Sequence, residues 1–151
     1  MRHPAPAVRA VLAAGLAAGL LAGCSGDPQD RYCQAVEDHQ MELSDAAASN
    51  DPGALFDVLD AYDDLADKAP RDIADDWADV VEPLRGLQQA LADNDVDPSS
   101  YTAEEPPPGL SQAACAEIEV AARAVGSERT VEAMASVEQQ ALDVCGTPLS
   151  R

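Results

Sequence analysis

Between Leu55 and Ala69 the apolar side chains fall at intervals of three and four: Leu55, Val58, Leu59, Tyr62, Leu65, Ala66 and Ala69. Asp57, Asp60, Asp63, Asp64 and Asp67 fill the positions between them. That spacing lines one side of a 3.6-residue helix with hydrocarbon and wets the other, and no strand can carry it on one face. The same period recurs along the chain. Cys33, Val36, Leu43 and Ala47 mark a first helix over about Gln29 to Ala48. Asn50-Asp51-Pro52 restarts the chain, with Asp51 as N-cap and Pro52 at the first helical position of a second helix that runs to about Lys68.

Ala69-Pro70 breaks that helix. Ile73, Trp77, Val80, Leu84, Leu87 and Leu91 form the stripe of a third, with Pro83 inside it. Proline lacks the N–H that would bond the carbonyl of Asp79, so a kink or short interruption is expected there. Ser111 caps a fourth helix with Cys115, Ile118, Ala122 and Val125 on its apolar side. Gly126-Ser127 separates it from a last helix carrying Val131, Met134, Val137, Ala141 and Val144, which Gly146 and Pro148 end. Abundant alanine and scarce aromatics agree with helices, not sheets. The expectation is an all-α antiparallel bundle of four to five helices.

A different pattern precedes the bundle. Arg2, His3 and Arg9 lead into an apolar run from Ala10 to Leu21, the layout of a secretory signal peptide. Leu21, Ala22, Gly23 and Cys24 then read as a bacterial lipobox, in which the Cys24 thiolate takes up a diacylglyceryl group and cleavage leaves Cys24 as the new N-terminus. The apolar run is short of the roughly 20 residues that span a bilayer. The expected organisation is a lipoprotein signal peptide over 1–23, a tether over 24–30, and a helical domain over 31–149 interrupted by a flexible acidic, Pro-rich connector over 93–110. The tether reaches about 20 Å at full stretch, so the domain would ride close above the membrane.

Losing 1–23 removes Arg2 and Arg9 and no acid, which leaves the 28 acidic residues against the other basic ones. Nucleic-acid binding needs clustered Lys and Arg, so that class is excluded, and solubility is the plain role of the charge. With Cys24 lipidated, Cys33, Cys115 and Cys145 remain. One bridge and one leftover thiol are possible in three pairings. The favoured one, Cys33 to Cys145, ties the start of the first helix to the end of the last, with Cys115 as a small buried apolar residue.

Asp93, Asp95, Asp97 and Glu104 occupy positions 1, 3, 5 and 12 of an EF-hand-like calcium loop. Pro98 replaces its glycine, Ser100 its apolar anchor, and Pro106 to Pro108 forbid the exiting helix, so an acidic solvated connector is the expectation and no metal or other cofactor is implied. His39, the sole histidine beyond the leader, lies among Asp38, Gln40 and Glu42 and is expected at the surface. One histidine supports neither a zinc site nor a Ser-His-Asp scheme, and no phosphate-cradling glycine loop occurs, so the chain is not expected to be an enzyme.

The lipobox at Cys24, Tyr32-Cys33, the stretch from Ala69-Pro70 through Ile73 to Trp77, and Asp143-Val144-Cys145-Gly146-Thr147-Pro148-Leu149 together resemble small uncharacterised lipoproteins of high-GC Gram-positive (actinomycete-type) bacteria. The resemblance implies a lipid-anchored protein on the extracytoplasmic face of the cell membrane, fits a Cys33 to Cys145 link, and implies no assigned activity. The expected function is a membrane-anchored, non-enzymatic helical module that binds an envelope protein or plays a structural part. The alternative is a ligand- or cation-binding accessory lipoprotein, with Ca²⁺ as the cation.

Overall fold

Six α-helices form among the described residues, 26–102 and 108–151 of this computed structural model: α1 (Pro28–Ala48), α2 (Ala54–Asp57), α3 (Leu59–Lys68), α4 (Ala74–Asp93), α5 (Gln112–Val125) and α6 (Glu128–Gln140). No strand occurs among these residues, and the architecture is an all-α bundle. α4 is the central element and packs against α3, α5 and α6, while α1 lies on α2, α3 and a terminal π turn over Ala141–Cys145.

Local chemistry sets the helix starts. Asp27 accepts a hydrogen bond from the backbone N–H of Gln29 at 3.0 Å, with Pro28 at the first helical position. α1 therefore begins at Pro28 and takes up the end of the expected tether. Ser111 accepts from Ala114 N at 3.1 Å, and Ser127 from Thr130 N at 3.3 Å, which fixes the starts of α5 and α6. The π turn ends at Gly146, whose φ of +68° lies in the left-handed region that glycine enters without strain. The tail then returns along α1. Gln40 Nε2 donates to the Pro148 carbonyl at 2.7 Å, Arg151 N donates to Ser44 Oγ at 3.1 Å, and Leu149 is buried.

All six residues of the α4 stripe, from Ile73 to Leu91, are buried. α4 also continues through Pro83 without interruption. A proline inside a helix costs about 3 kcal/mol. Burying one large aliphatic side chain returns about 1.5–3 kcal/mol, and Val80, Val81, Leu84 and Leu87 are all buried around it. Packing wins.

The expected second helix is split at Val58 (φ −101°, ψ 10°), which raises the helix count to six. Asp51 caps the turn ahead of it by accepting from Gly53 N at 2.8 Å. Gly53 itself lies under the backbone of Ser99, where a Cβ would approach Ser99 N to 3.1 Å. The break re-aims the stripe. Phe56 touches both the main core and a second cluster built from Leu87, Leu91, Val96 and Ile118, while Val58 and Leu59 enter the main core.

Other expected positions shift. Tyr32, not Cys33, is the fully buried residue at the start of α1, and Ala47 is exposed. On α6 the inward line is Thr130, Ala133, Val137 and Ala141, and Val131 and Val144 face solvent. The connector is pinned where it is described, since Val96 is buried and Asp97 caps a short 3-10 turn over Pro98–Ser100.

Candidate functional site

Leu21, Ala22, Gly23 and Cys24 lie outside the described residues. The cysteines of the bundle do not. Cys33 and Cys145 form a disulfide with their Cα atoms 5.1 Å apart, inside the range such a bridge requires. Cys115 is a free thiol. It is only half-buried, and it sits in the wall of an open cleft of about 450 Å³ with Tyr101, Leu110, Ile118 and Arg123. α5 turns Ile118 inward at that point and leaves the preceding turn of the helix partly uncovered.

The acidic stretch does not assemble into a cage. Asp93 closes α4 and accepts from Gln89 Nε2 at 2.6 Å. Asp95 sits at φ +55°. Asp97 is turned back on its own chain, accepting from Ser99 N at 2.9 Å and Ser99 Oγ at 2.7 Å, which holds its carboxyl below the usual carboxylate range. Glu104 lies outside the described residues. Among the described residues no group of three or more His, Cys, Asp or Glu is arranged to hold a metal ion.

His39 is placed differently from the expected free surface position. It is half-buried between α1 and α3, with Nδ1 on Glu42 of its own helix and Nε2 on Asp64 at 2.9 Å. Lys68 completes the cluster by donating to Asp64. Sequence spacing could not show this, because Asp64 is 25 residues away. Burial pulls the imidazole pKa down, but the hydrogen bonds and charges of Asp64 and Glu42 outweigh it, and the net shift is upward from 6.5. For Asp64 the bonds from Lys68 and then His39 outweigh burial, and its pKa falls below 3.8.

The pH consequence follows by linkage. The His39 contribution is fully present below its unfolded pKa of about 6.5 and is lost as pH rises through its higher folded value. The Asp64 contribution is present above its unfolded value and is lost as pH falls through the lower folded one. His39→Gln should therefore cost stability most between these limits, by about 0.5–1 kcal/mol for a partly exposed pair. The difference from wild type should shrink at alkaline pH. Thermal unfolding at pH 5.5 and pH 9 checks this, and a difference that grows with pH refutes it.

Among the described residues, solvent-facing hydrocarbon runs along α6 and the π turn that follows it. Three contiguous depressions share residues along it. The first is lined by Leu55, Val125, Val131 and Met134. Leu55 and Met134 also line the second, with Tyr62 and Glu138. Glu138 and Leu149 continue into the third, beside Leu142. Val131, Met134, Glu138 and Leu142 thus form the spine of one furrow, in which Val131 is 59% and Leu142 47% exposed. From Val131 to Leu142 the spine is about 16 Å long at 1.5 Å per residue, enough to seat about three helical turns. Burial raises the Tyr62 phenol pKa and the Glu138 carboxylate raises it further, so the furrow floor carries a negative field. Glu128, Glu132 and Glu138 of α6 have no ion-pair partner among the described residues, and its one cation, Arg129, donates to Asp79 of α4 at 2.7 Å.

The fold and these features define a disulfide-closed helical bundle with a partly apolar, acidic outer face. No family model matches the chain, and neither a curated protein nor a solved structure matches it. Among the described residues no helix is long and apolar enough to cross a membrane.

Proposed function

We propose that this chain is a bacterial surface lipoprotein, acylated at Cys24 and held on the extracytoplasmic face of the cell membrane. Its helical domain is a non-enzymatic module that docks another envelope protein along the α6 furrow. The address is supported by the order of basic start, apolar run and Leu21-Ala22-Gly23-Cys24. The docking role is supported by one observation above all: Val131 of α6 and Leu142 of the π turn that follows stand in solvent on either side of Met134, while the other face of α6 is committed to the core. Apolar anchors around an adaptable methionine suit a helix or loop laid into a groove.

Two linked measurements test this. Labelled palmitate should enter the protein, and Cys24→Ser should abolish both the label and membrane fractionation. A photo-crosslinking side chain placed at Val131 in intact cells should capture one envelope protein, and the same group at Val120 of α5, equally exposed, should not. Unlabelled protein that fractionates unchanged after Cys24→Ser ends the anchored reading. Equal capture at both positions ends the docking reading.

A further inference from the structure

The cations of this acidic chain are unevenly placed. Among the described residues Arg85 and Arg129 are spent on ion pairs between helices, with Asp63 and Asp79, and Arg123 pairs with Glu119 of its own helix. Arg31, Lys68 and Arg71 instead line one open cleft of about 580 Å³ between the start of α1 and the turn that joins α3 to α4. Asp67 is the one acid in its lining, so the cleft is net cationic, unlike the acidic furrow on α6. Arg31 and Arg71 have no ion-pair partner among the described residues, and Lys68 donates to Asp64.

The cleft also stands beside Gly26, the first described residue. A Cβ built on Gly26 would lie 3.8 Å from Arg31 Cγ. Cys24 is two residues earlier, so at most about 7 Å of chain separates it from Gly26. An acyl chain on Cys24 would hold this end of the bundle within reach of the headgroups. Two unpaired guanidiniums then meet the phosphates there, with the planar donor geometry that binds a phosphate through two bonds.

We propose that the Arg31–Lys68–Arg71 cleft binds the phosphate of anionic phospholipid headgroups and so stands the bundle on its α1 start, with the α6 furrow left free for a partner. The geometry rests on the anchored reading given above. The occupant is the lipid and not free phosphate, because the anchor would hold the cleft mouth among the headgroups of the surrounding bilayer. The net acidic charge of the rest of the domain works in the same sense: an anionic surface repels every other face and leaves this one as the favourable contact.

Lys68 is the chain's single lysine, which gives a clean readout. The protein as purified from the producing cell's membranes, with whatever Cys24 carries, is mixed with vesicles of phosphatidylcholine alone and of phosphatidylcholine with phosphatidylglycerol. Flotation reads attachment, and an amine-specific reagent followed by mass spectrometry reads the labelling rate of Lys68. The expected result is severalfold slower labelling on the anionic vesicles only, reversed by Arg31→Gln with Arg71→Gln and by high salt, and unchanged by Arg123→Gln. Equal labelling on both vesicles with attachment intact overturns the proposal and leaves the anchor standing. Equal protection by inorganic phosphate added to the neutral vesicles assigns a free-phosphate site and overturns lipid docking. A chain that floats with neither vesicle overturns both readings.

Discussion

Replacing Cys33 and Cys145 together by serine should lower the stability of the bundle by about 4–5 kcal/mol, the largest effect expected from any pair of substitutions outside the core. The bridge joins residues 112 apart in sequence. In the chain-entropy account, closing a loop of that size removes about 4–5 kcal/mol of freedom from the unfolded chain. For a domain of this size the change corresponds to a fall of about 15–20 °C in thermal midpoint. The tail explains why native-state contacts do not make up the loss. The Gln40 bond to the Pro148 carbonyl and the Arg151 bond to Ser44 also hold the terminus on α1, but each is a single partly exposed hydrogen bond worth about 1 kcal/mol. Scanning calorimetry should place reduced wild type and the double variant at the same lowered midpoint, with Cys115→Ser close to wild type. Reduction without any change in midpoint would show that the two thiols are not joined.

How legible this was differs from feature to feature, and the differences have physical causes. The α4 stripe could be read residue by residue because α4 is covered from three sides, so every apolar position on its stripe meets a neighbour. α6 is covered from fewer directions. Its apolar residues are more numerous than its contacts can bury, and no periodicity tells Val137, which is inside, from Val131, which is outside. The break at Val58 was hidden for a related reason. The heptad-like spacing is continuous through it, and only the presence of a second cluster around Val96 makes two short helices better than one. His39 was misplaced because its partner comes from another helix. Cys115 was expected inside, yet it stands half-buried in the wall of a cleft, which the apolar spacing of its helix does not reveal. The acids of 93–104 have the spacing of a ligand set but not its turn, since Asp97 is satisfied by Ser99 first. Leu21-Ala22-Gly23-Cys24 lies outside the described residues, so the anchoring proposal rests on the sequence alone.

Truncating Trp77 to alanine should cost about 3–5 kcal/mol, a large share of the 5–15 kcal/mol that separates an ordinary domain from its unfolded state. Trp77 is fully buried and is met edge-on by Tyr32 (centroids 6.5 Å apart, planes at 73°) and at a tilt by Tyr62 (6.0 Å, 48°). These rings come from α1, α3 and α4, so the aromatic cluster is where the three helices are fastened together. Its one polar contact makes a sharper test than size alone. Trp77 Nε1 donates to Tyr32 Oη at 3.2 Å in a site closed to water, and burial drives the Tyr32 phenol pKa upward. Tyr32→Phe removes only an oxygen but strands the indole N–H, at about 1–3 kcal/mol. Trp77→Phe removes the donor, leaves the phenol without a partner and opens a small cavity. The double variant Tyr32→Phe with Trp77→Phe strands neither group, so its cost should fall short of the sum of the two single costs by about 1 kcal/mol or more. Guanidinium unfolding followed by circular dichroism measures all four corners of this cycle, which tryptophan fluorescence cannot do once the only tryptophan is replaced. Strict additivity would mean that the 3.2 Å contact contributes nothing, and that the cluster holds the helices together by shape alone.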